Sequence, residues 1–241
     1  MDDLYLDERP SDSSFVDTIW RSQSENAGTF LSCAVSQWEM VVTRHNGTTT
    51  LSVRGPETKA TPAHCPANAA FFGIVFPLGT FLPHLPPGNV MDRRDANLPE
   101  ATSTSFWLSG SAWQFPTYEN AETFVDRLVR DGLLVRDPVV DAVLQHQLKD
   151  VSLRSVQRRF RHAIGLTQCA VRQIERAREA VALLEQGRAI LDIVDLAGYA
   201  DQSHMTRSLK HLIGQTPAQI IGRRLPHNIL SLDRNPRLVN L

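Results

Sequence analysis

Residues 190–214, ILDIVDLAGYADQSHMTRSLKHLIG, decide how the rest of the chain is read. Ile190, Ile193, Val194 and Ala197 recur at the three-to-four-residue spacing of a helix that buries one face. Gly198 tolerates the left-handed conformation that ends such a helix. Asp201 stands where a side-chain oxygen caps the free N–H groups of a second helix. In that helix Met205, Leu209 and Leu212 or Ile213 point inward, leaving Gln202, Ser203, Thr206, Arg207 and Lys210 outside. A support helix, a tight glycine turn and a capped helix with a polar face predict a helix-turn-helix unit.

Upstream, residues 152–165 (SLRSVQRRFRHAIG) repeat the pattern. Ser152 is the expected cap, and Leu153, Val156, Phe160 and Ile164 fall on one stripe, the expected buried face. Arg154, Gln157, Arg158 and Arg161 fall on another side. That front suits a major groove: Arg bonds bidentately to guanine O6 and N7, Gln to adenine N6 and N7. Residues 137–148 (DPVVDAVLQHQL) supply the support helix, with Val139, Val140, Val143 and Leu144 apolar. Residues 168–186 predict a long connecting helix with Ala177, Ala180, Val181 and Leu184 on one face and Glu175, Glu179 and Ala182 on the other. Two reading helices enter neighbouring groove segments only if held about one DNA turn apart, roughly 34 Å.

Charge follows the same division. The chain carries 25 basic and 26 acidic residues, but its first 118 residues hold seven basic against twelve acidic. Residues 151–174 hold five arginines (Arg154, Arg158, Arg159, Arg161 and Arg172) and no acid. A basic patch on a near-neutral chain is what attraction to phosphate requires. Arg161 and Lys210 are expected at phosphates rather than bases. Arg159 and Arg172 read as ordinary surface residues, and Arg176 as a structural ion-pair partner.

Working outward to the N-terminus, residues 1–14 read as a loose arm and residues 15–116 as strands and turns. Residues 38–54 (WEMVVTRHNGTTTLSVR) place two β-branched runs around Asn46-Gly47, a strong hairpin signal. Ala70 to Phe76 reads as a buried strand, and residues 83–88 (PHLPPG) as an irregular loop. Residues 117–136 read as a linker helix, with Phe124, Val125, Leu128 and Val129 at helical spacing and Gly132 at its end. The helical domain is placed at 137–225 and a tail at 226–241.

Hydrophobic content of 42% supports a real core. The acidic N-terminus has no apolar run, and residues 69–83 are too short to span a bilayer, so a cytoplasmic protein without membrane association is expected. Cys33, Cys65 and Cys169 are scattered, which argues for reduced thiols rather than disulfides or zinc. His45, His64 and His84 are spaced too widely to suggest a metal strand, and neither a phosphate-cradling glycine loop nor a G-x-S-x-G elbow is present. No cofactor is expected. Trp20, Trp38, Trp107 and Trp113 read as core.

The stretches LRSVQRRFRHAIGLT, QIERAREAVALLEQG and ILDIVDLAGYADQSHMTRSLKHLIGQTPAQI together resemble the DNA-binding domain of the AraC/XylS family of transcriptional regulators, over about residues 137–222. Gly198-Tyr199, Asp201-Gln202-Ser203-His204, Thr206-Arg207, Gly214 and Thr216-Pro217 sit where the family pattern has them. Residues 148–151 lack the Ala and Gly usual at the first turn, and Leu209 replaces a usual Phe. The resemblance implies a non-enzymatic regulator with two helix-turn-helix units on double-stranded DNA. Base contacts then fall to Arg154, Gln157 and Arg158, and to Gln202, Ser203, Thr206 and Arg207. It implies an α+β chain, a small cupin-like β sandwich or barrel followed by an all-α domain. Such a β half senses a small-molecule effector or forms a homodimer, and RNA polymerase is a further partner. The competing readings are a cupin-like enzyme and a protein-interaction adaptor, each tethered to a helical recruitment domain.

Overall fold

The computed structural model describes residues 4–93, 95–145, 147 and 151–222. The expected tail at 226–241 lies outside the described residues, as does most of the 148–151 turn. The chain begins with β1 (Leu4–Pro10), β2 (Thr18–Ser24) and β3 (Gly28–Ser32). It continues through β4 (Trp38–His45), β5 (Thr48–Arg54), β6 (Thr61–Cys65), β7 (Ala69–Phe76) and β8 (Thr80–Phe81). A 3₁₀ turn at Pro87–Asn89 precedes β9 (Ala96–Asn97), β10 (Glu100–Thr102), β11 (Ser105–Leu108) and β12 (Ser111–Gln114). Helix α1 (Ala121–Arg130) and β13 (Val135–Arg136) close the β-rich half. The helical half comprises α2 (Pro138–Leu144), α3 (Leu153–Ile164), α4 (Gln168–Glu185), α5 (Ile190–Leu196), α6 (Gln202–Leu212) and α7 (Pro217–Gly222).

Six strands form one antiparallel sheet in the order β1-β2-β7-β4-β5-β9, accompanied by the smaller sheets β10-β11-β12, β3-β6 and β13-β8. The central hairpin turns at Asn46 and Gly47, both at positive φ (50° and 75°), with His45 paired to Thr48. That geometry is the one an Asn-Gly turn favours, because its twist matches the flanking strands. Alternation then sorts the side chains. Trp38, Met40, Val42, Leu51, Val53, Ile74 and Phe76 face a core completed by Phe106, Leu108 and Trp113. The opposite face carries Trp20, Val41 and Val75 in a smaller cluster with Leu6 and Phe71. Gly73 lies beneath the Trp20 ring, where an added Cβ would stand 2.1 Å from Cε2.

Two expectations about boundaries need correction. The loose arm is largely a strand: β1 pairs with β2 through seven registered residues, from Leu4↔Ser24 to Pro10↔Thr18. Leu6, partly buried against the Trp20 cluster, is too little apolar signal to stand out in an acidic stretch. The linker helix is no spacer, since Ala121, Phe124, Val125 and Leu128 of α1 complete the β core. The two are stapled together by Arg9, whose guanidinium meets the Glu122 carboxylate twice, with Nη2 to Oε2 at 2.9 Å, and also bonds the Tyr118 carbonyl at 2.8 Å.

The hydrogen bond from Arg9 holds the Glu122 carboxyl at about 2, below the usual carboxylate range. A carboxyl depressed on folding contributes stability above its unfolded value of about 4.3, and that contribution is lost as pH falls toward the folded value. Glu122→Gln should therefore lower the urea midpoint near neutral pH, and the gap to the parent chain should shrink by about pH 3. A gap that does not change with pH would show that the staple adds no charge-dependent stability.

Candidate nucleic-acid interface

Helix α3 is built as its residues dictate. The Ser152 hydroxyl accepts the N–H of Ser155 at 3.3 Å, capping α3. Val156, Phe160, Ala163 and Ile164 are buried, and Gly165 at φ +85° ends the helix. Arg154, Gln157, Arg158 and Arg161 are all exposed. Leu153 departs from the expected buried stripe: it is 77% exposed, and Ala163 fills the inner face instead. At the first helical position Leu153 precedes the turn where α3 meets its neighbours. Asp137 caps α2 by accepting the N–H groups of Val139 and Val140, and both its oxygens accept from Arg159 Nε at 3.0 and 2.9 Å. Arg159 is thereby tied to the support helix.

The second unit has the same logic. Asp201 accepts the His204 N–H at 2.6 Å, and Gly198 takes φ +67°. Met205, Leu209 and Leu212 are buried. Gln202, Ser203, Arg207 and Lys210 are exposed, and Thr206 is half-buried, its hydroxyl donating to the Gln202 carbonyl at 2.8 Å. Lys210 Nζ donates to the Gly214 carbonyl at 3.2 Å. Arg176 is structural, though not through the ion pair expected of it. It donates to the Gly198 carbonyl at 3.0 Å and lies over the Tyr199 ring at 4.9 Å, bracing the turn between α5 and α6.

Between the units, α4 runs for 18 residues, capped by Thr167. Glu175 corrects another expectation. Placed on the face opposite the apolar stripe, it is nonetheless buried, and its Oε1 accepts the Ser36 hydroxyl of the β half at 2.6 Å.

The β half also holds α3 and α6 by their C-terminal ends, contacts that no sequence pattern signals. Helix ends leave carbonyls without intrahelical partners. At α6, Ala34 N donates to Leu212 O at 2.7 Å, Ala60 N donates to His211 O at 2.9 Å, and Cys33 Sγ lies 3.5 Å from Ile213 O. Burial pushes the Cys33 thiol up to about 12, so it stays protonated as a donor. At α3, the chain passes so close to the 3₁₀ turn that a Cβ on Gly165 would lie 2.8 Å from Gly88 N. The Phe81 and His162 rings meet edge to face at 5.2 Å. Cys33, Ala34, Leu78 and Phe81 share one hydrophobic cluster with the helical core.

Residues 149–223 match the family model described as a helix-turn-helix domain. The chain therefore carries a helix-turn-helix domain of the DNA-binding kind. No curated protein matches the chain. Among solved structures, the apo form of a lysine-to-alanine variant of ToxT from Vibrio cholerae is 8% identical, with a TM-score of 0.38 over 89% of this chain and 99% of that one. A second ToxT crystal form from Vibrio cholerae is 8% identical, with a TM-score of 0.36 over 90% and 98%. At that level of likeness neither bears on the argument. Among the described residues no helix is long and apolar enough to cross a membrane.

The grip of the β half on the helices is open to test. Gly165→Ala should destabilise the protein by about 1–3 kcal/mol, because the position combines positive φ with a backbone contact that leaves no room for a methyl group. Ser36→Ala should cost about 1–3 kcal/mol by leaving the buried Glu175 carboxylate without that donor. Both are read from denaturant unfolding, and an unchanged midpoint for either would mean that its contact contributes nothing.

Proposed function

We propose that this chain is a sequence-specific DNA-binding regulator of transcription of the AraC/XylS type, with α3 and α6 reading adjacent stretches of major groove. The observation that carries this reading is the repetition of one arrangement. Each unit is a capped helix with a buried apolar back and an exposed Arg and Gln front, and an 18-residue helix joins the two. In the proposed complex Arg154, Gln157 and Arg158 meet base edges in one segment, and Gln202, Ser203, Thr206 and Arg207 in the next. Arg161 and Lys210 contact phosphates, which position the protein without reading sequence. Thr206, half-buried and already donating to its own helix, offers only its hydroxyl lone pairs and methyl group.

The β half is the proposed site of control, through a small-molecule effector, a homodimer contact, or both. Two cavities support the effector reading. One of about 350 Å³ is lined by Arg21, Arg44, Phe72 and Tyr118, and one of about 280 Å³ lies beside Trp20 and Glu57. RNA polymerase is the proposed protein partner at a promoter.

Sites selected from random DNA should contain two conserved segments about one helical turn apart, bound with affinity that falls steeply as salt rises. Arg207→Ala should weaken binding to the selected site by about 1–3 kcal/mol and relax discrimination at one base pair. Arg161→Ala should weaken binding about equally on all sequences and reduce the salt slope by about one. Absence of any shifted complex at low salt would remove the reading.

A further inference from the structure

We propose that the smaller cavity of the β half binds a small organic cation, a protonated amine or guanidine with an apolar body, and that its occupancy is transmitted to α6. The regulatory part of this proposal rests on the DNA-binding reading above; the binding part does not.

The cavity, about 280 Å³, opens between the Trp20 face of the large sheet and the β3-β6 pair. Trp20, Phe30 and Val35 supply apolar wall. The charged lining is unbalanced: Glu39, Glu57 and Asp95 contribute three carboxylates against the one guanidinium of Arg54. That guanidinium is already shared, with Nε on Asp95 Oδ1 at 2.6 Å and Nη1 3.9 Å from Glu39 Oε1. Glu39 also accepts the Trp20 indole N–H at 2.9 Å.

Glu57 lies within the field of the same guanidinium. Its carboxylate has a hydrogen bond with Ser32, yet Oε2 is shielded from solvent and has no hydrogen-bond partner among the described residues. Burial pushes the Glu57 carboxyl above its usual range, Glu39 and Asp92 adding to the rise and the Ser32 hydrogen bond and Arg54 opposing it. A carboxylate oxygen shielded from bulk solvent favours a charged N–H donor, which an ammonium or guanidinium group entering here supplies. An anion would meet three carboxylates. Trp20 and Phe30 place aromatic carbon in the lining, and aromatic rings attract ammonium and guanidinium groups. The volume lies just below the range of about 300–1,000 Å³ typical of small-molecule sites, which limits the ligand to a compact amine.

The same walls hold α6. Val35 and Glu57 exchange two backbone hydrogen bonds, each of 3.0 Å, and so clasp the segments 31–37 and 57–61 together. From those segments Ala34 and Ala60 bond the last carbonyls of α6, and Ser36 bonds Glu175 on the connecting helix. A ligand that draws Glu57 inward therefore acts on the clasp one residue (Val35 to Ala34) and three residues (Glu57 to Ala60) from the contacts that hold α6.

The test is calorimetric titration of the full chain with 2-phenylethylamine, tyramine and agmatine, alongside phenylacetate and 2-phenylethanol as the anionic and neutral counterparts. At least one amine should bind measurably tighter than both controls. Glu57→Gln should weaken it by at least about tenfold, the loss of one charge-assisted hydrogen bond. Glu25→Gln, at an exposed position of the same half, should change nothing. Since glutamine removes a buried charge, the Glu57→Gln chain should melt no lower than the parent, which guards against misfolding as the cause. Amines that bind no better than phenylacetate and 2-phenylethanol, or amine binding untouched by Glu57→Gln, would overturn the proposal. A gel shift with and without the amine separates the two readings. Amine binding without any DNA complex supports the site and removes the regulator, whereas a DNA complex with no amine preference removes the site and leaves the regulator standing.

Discussion

The structure depends on how the end of a helix is satisfied when it is buried against another domain. The last carbonyls of α6 meet backbone N–H groups of Ala34 and Ala60 rather than water. Each such bond contributes only about 1 kcal/mol, but leaving the carbonyls buried and unbonded would cost more than that. The two halves therefore cannot separate without exposing both the hydrophobic cluster around Cys33, Ala34, Leu78 and Phe81 and these carbonyls. The β half is thus part of what fixes α6, and through Gly88 and Phe81 it also touches the end of α3. The relative placement of two reading helices is then a property of the whole molecule, not of the connecting helix alone.

The local architecture of the helical half was legible because local chemistry specifies it. Caps at Ser152 and Asp201, the left-handed Gly198, and the inward Met205 and Leu209 follow from spacing and residue type within a dozen positions. The Asn46-Gly47 hairpin was legible for the same reason. What escaped depends on contacts between distant parts of the chain. Glu175 reads as a surface acid until Ser36, 139 residues away, arrives to donate to it. Leu6 and Arg9 look like part of an acidic arm until Trp20 and Glu122 give them partners. No periodicity marks Ala34 or Ala60, because what they contribute is backbone N–H groups, which every non-proline residue has. Whether Arg154, Gln157, Arg158, Gln202 and Arg207 touch bases likewise depends on a partner, the DNA, that the chain does not contain.

The division of labour along each reading helix gives this grip a direction. Helix α3 has 12 residues and α6 has 11, so each is a rod of about 16–18 Å. Arg154, Gln157 and Arg158 lie in the first half of α3, and Gln202 and Ser203 in the first turn of α6, all exposed. The C-terminal ends of both helices are the parts the β half holds. In the proposed complex the base-contacting residues lie in the N-terminal half of each helix, whereas the proposed phosphate contacts Arg161 and Lys210 share the last turns with the parts the β half holds. A small shift at the held end becomes a shift or tilt of the reading end, because a packed helix moves as a unit rather than bending within three turns. Groove recognition needs donors placed to within a few tenths of an ångström of hydrogen-bond geometry, so a modest tilt of one helix suffices to mismatch it with its segment. Control of such a protein requires only that the β half have two ways of holding α6 that differ by a few kcal/mol.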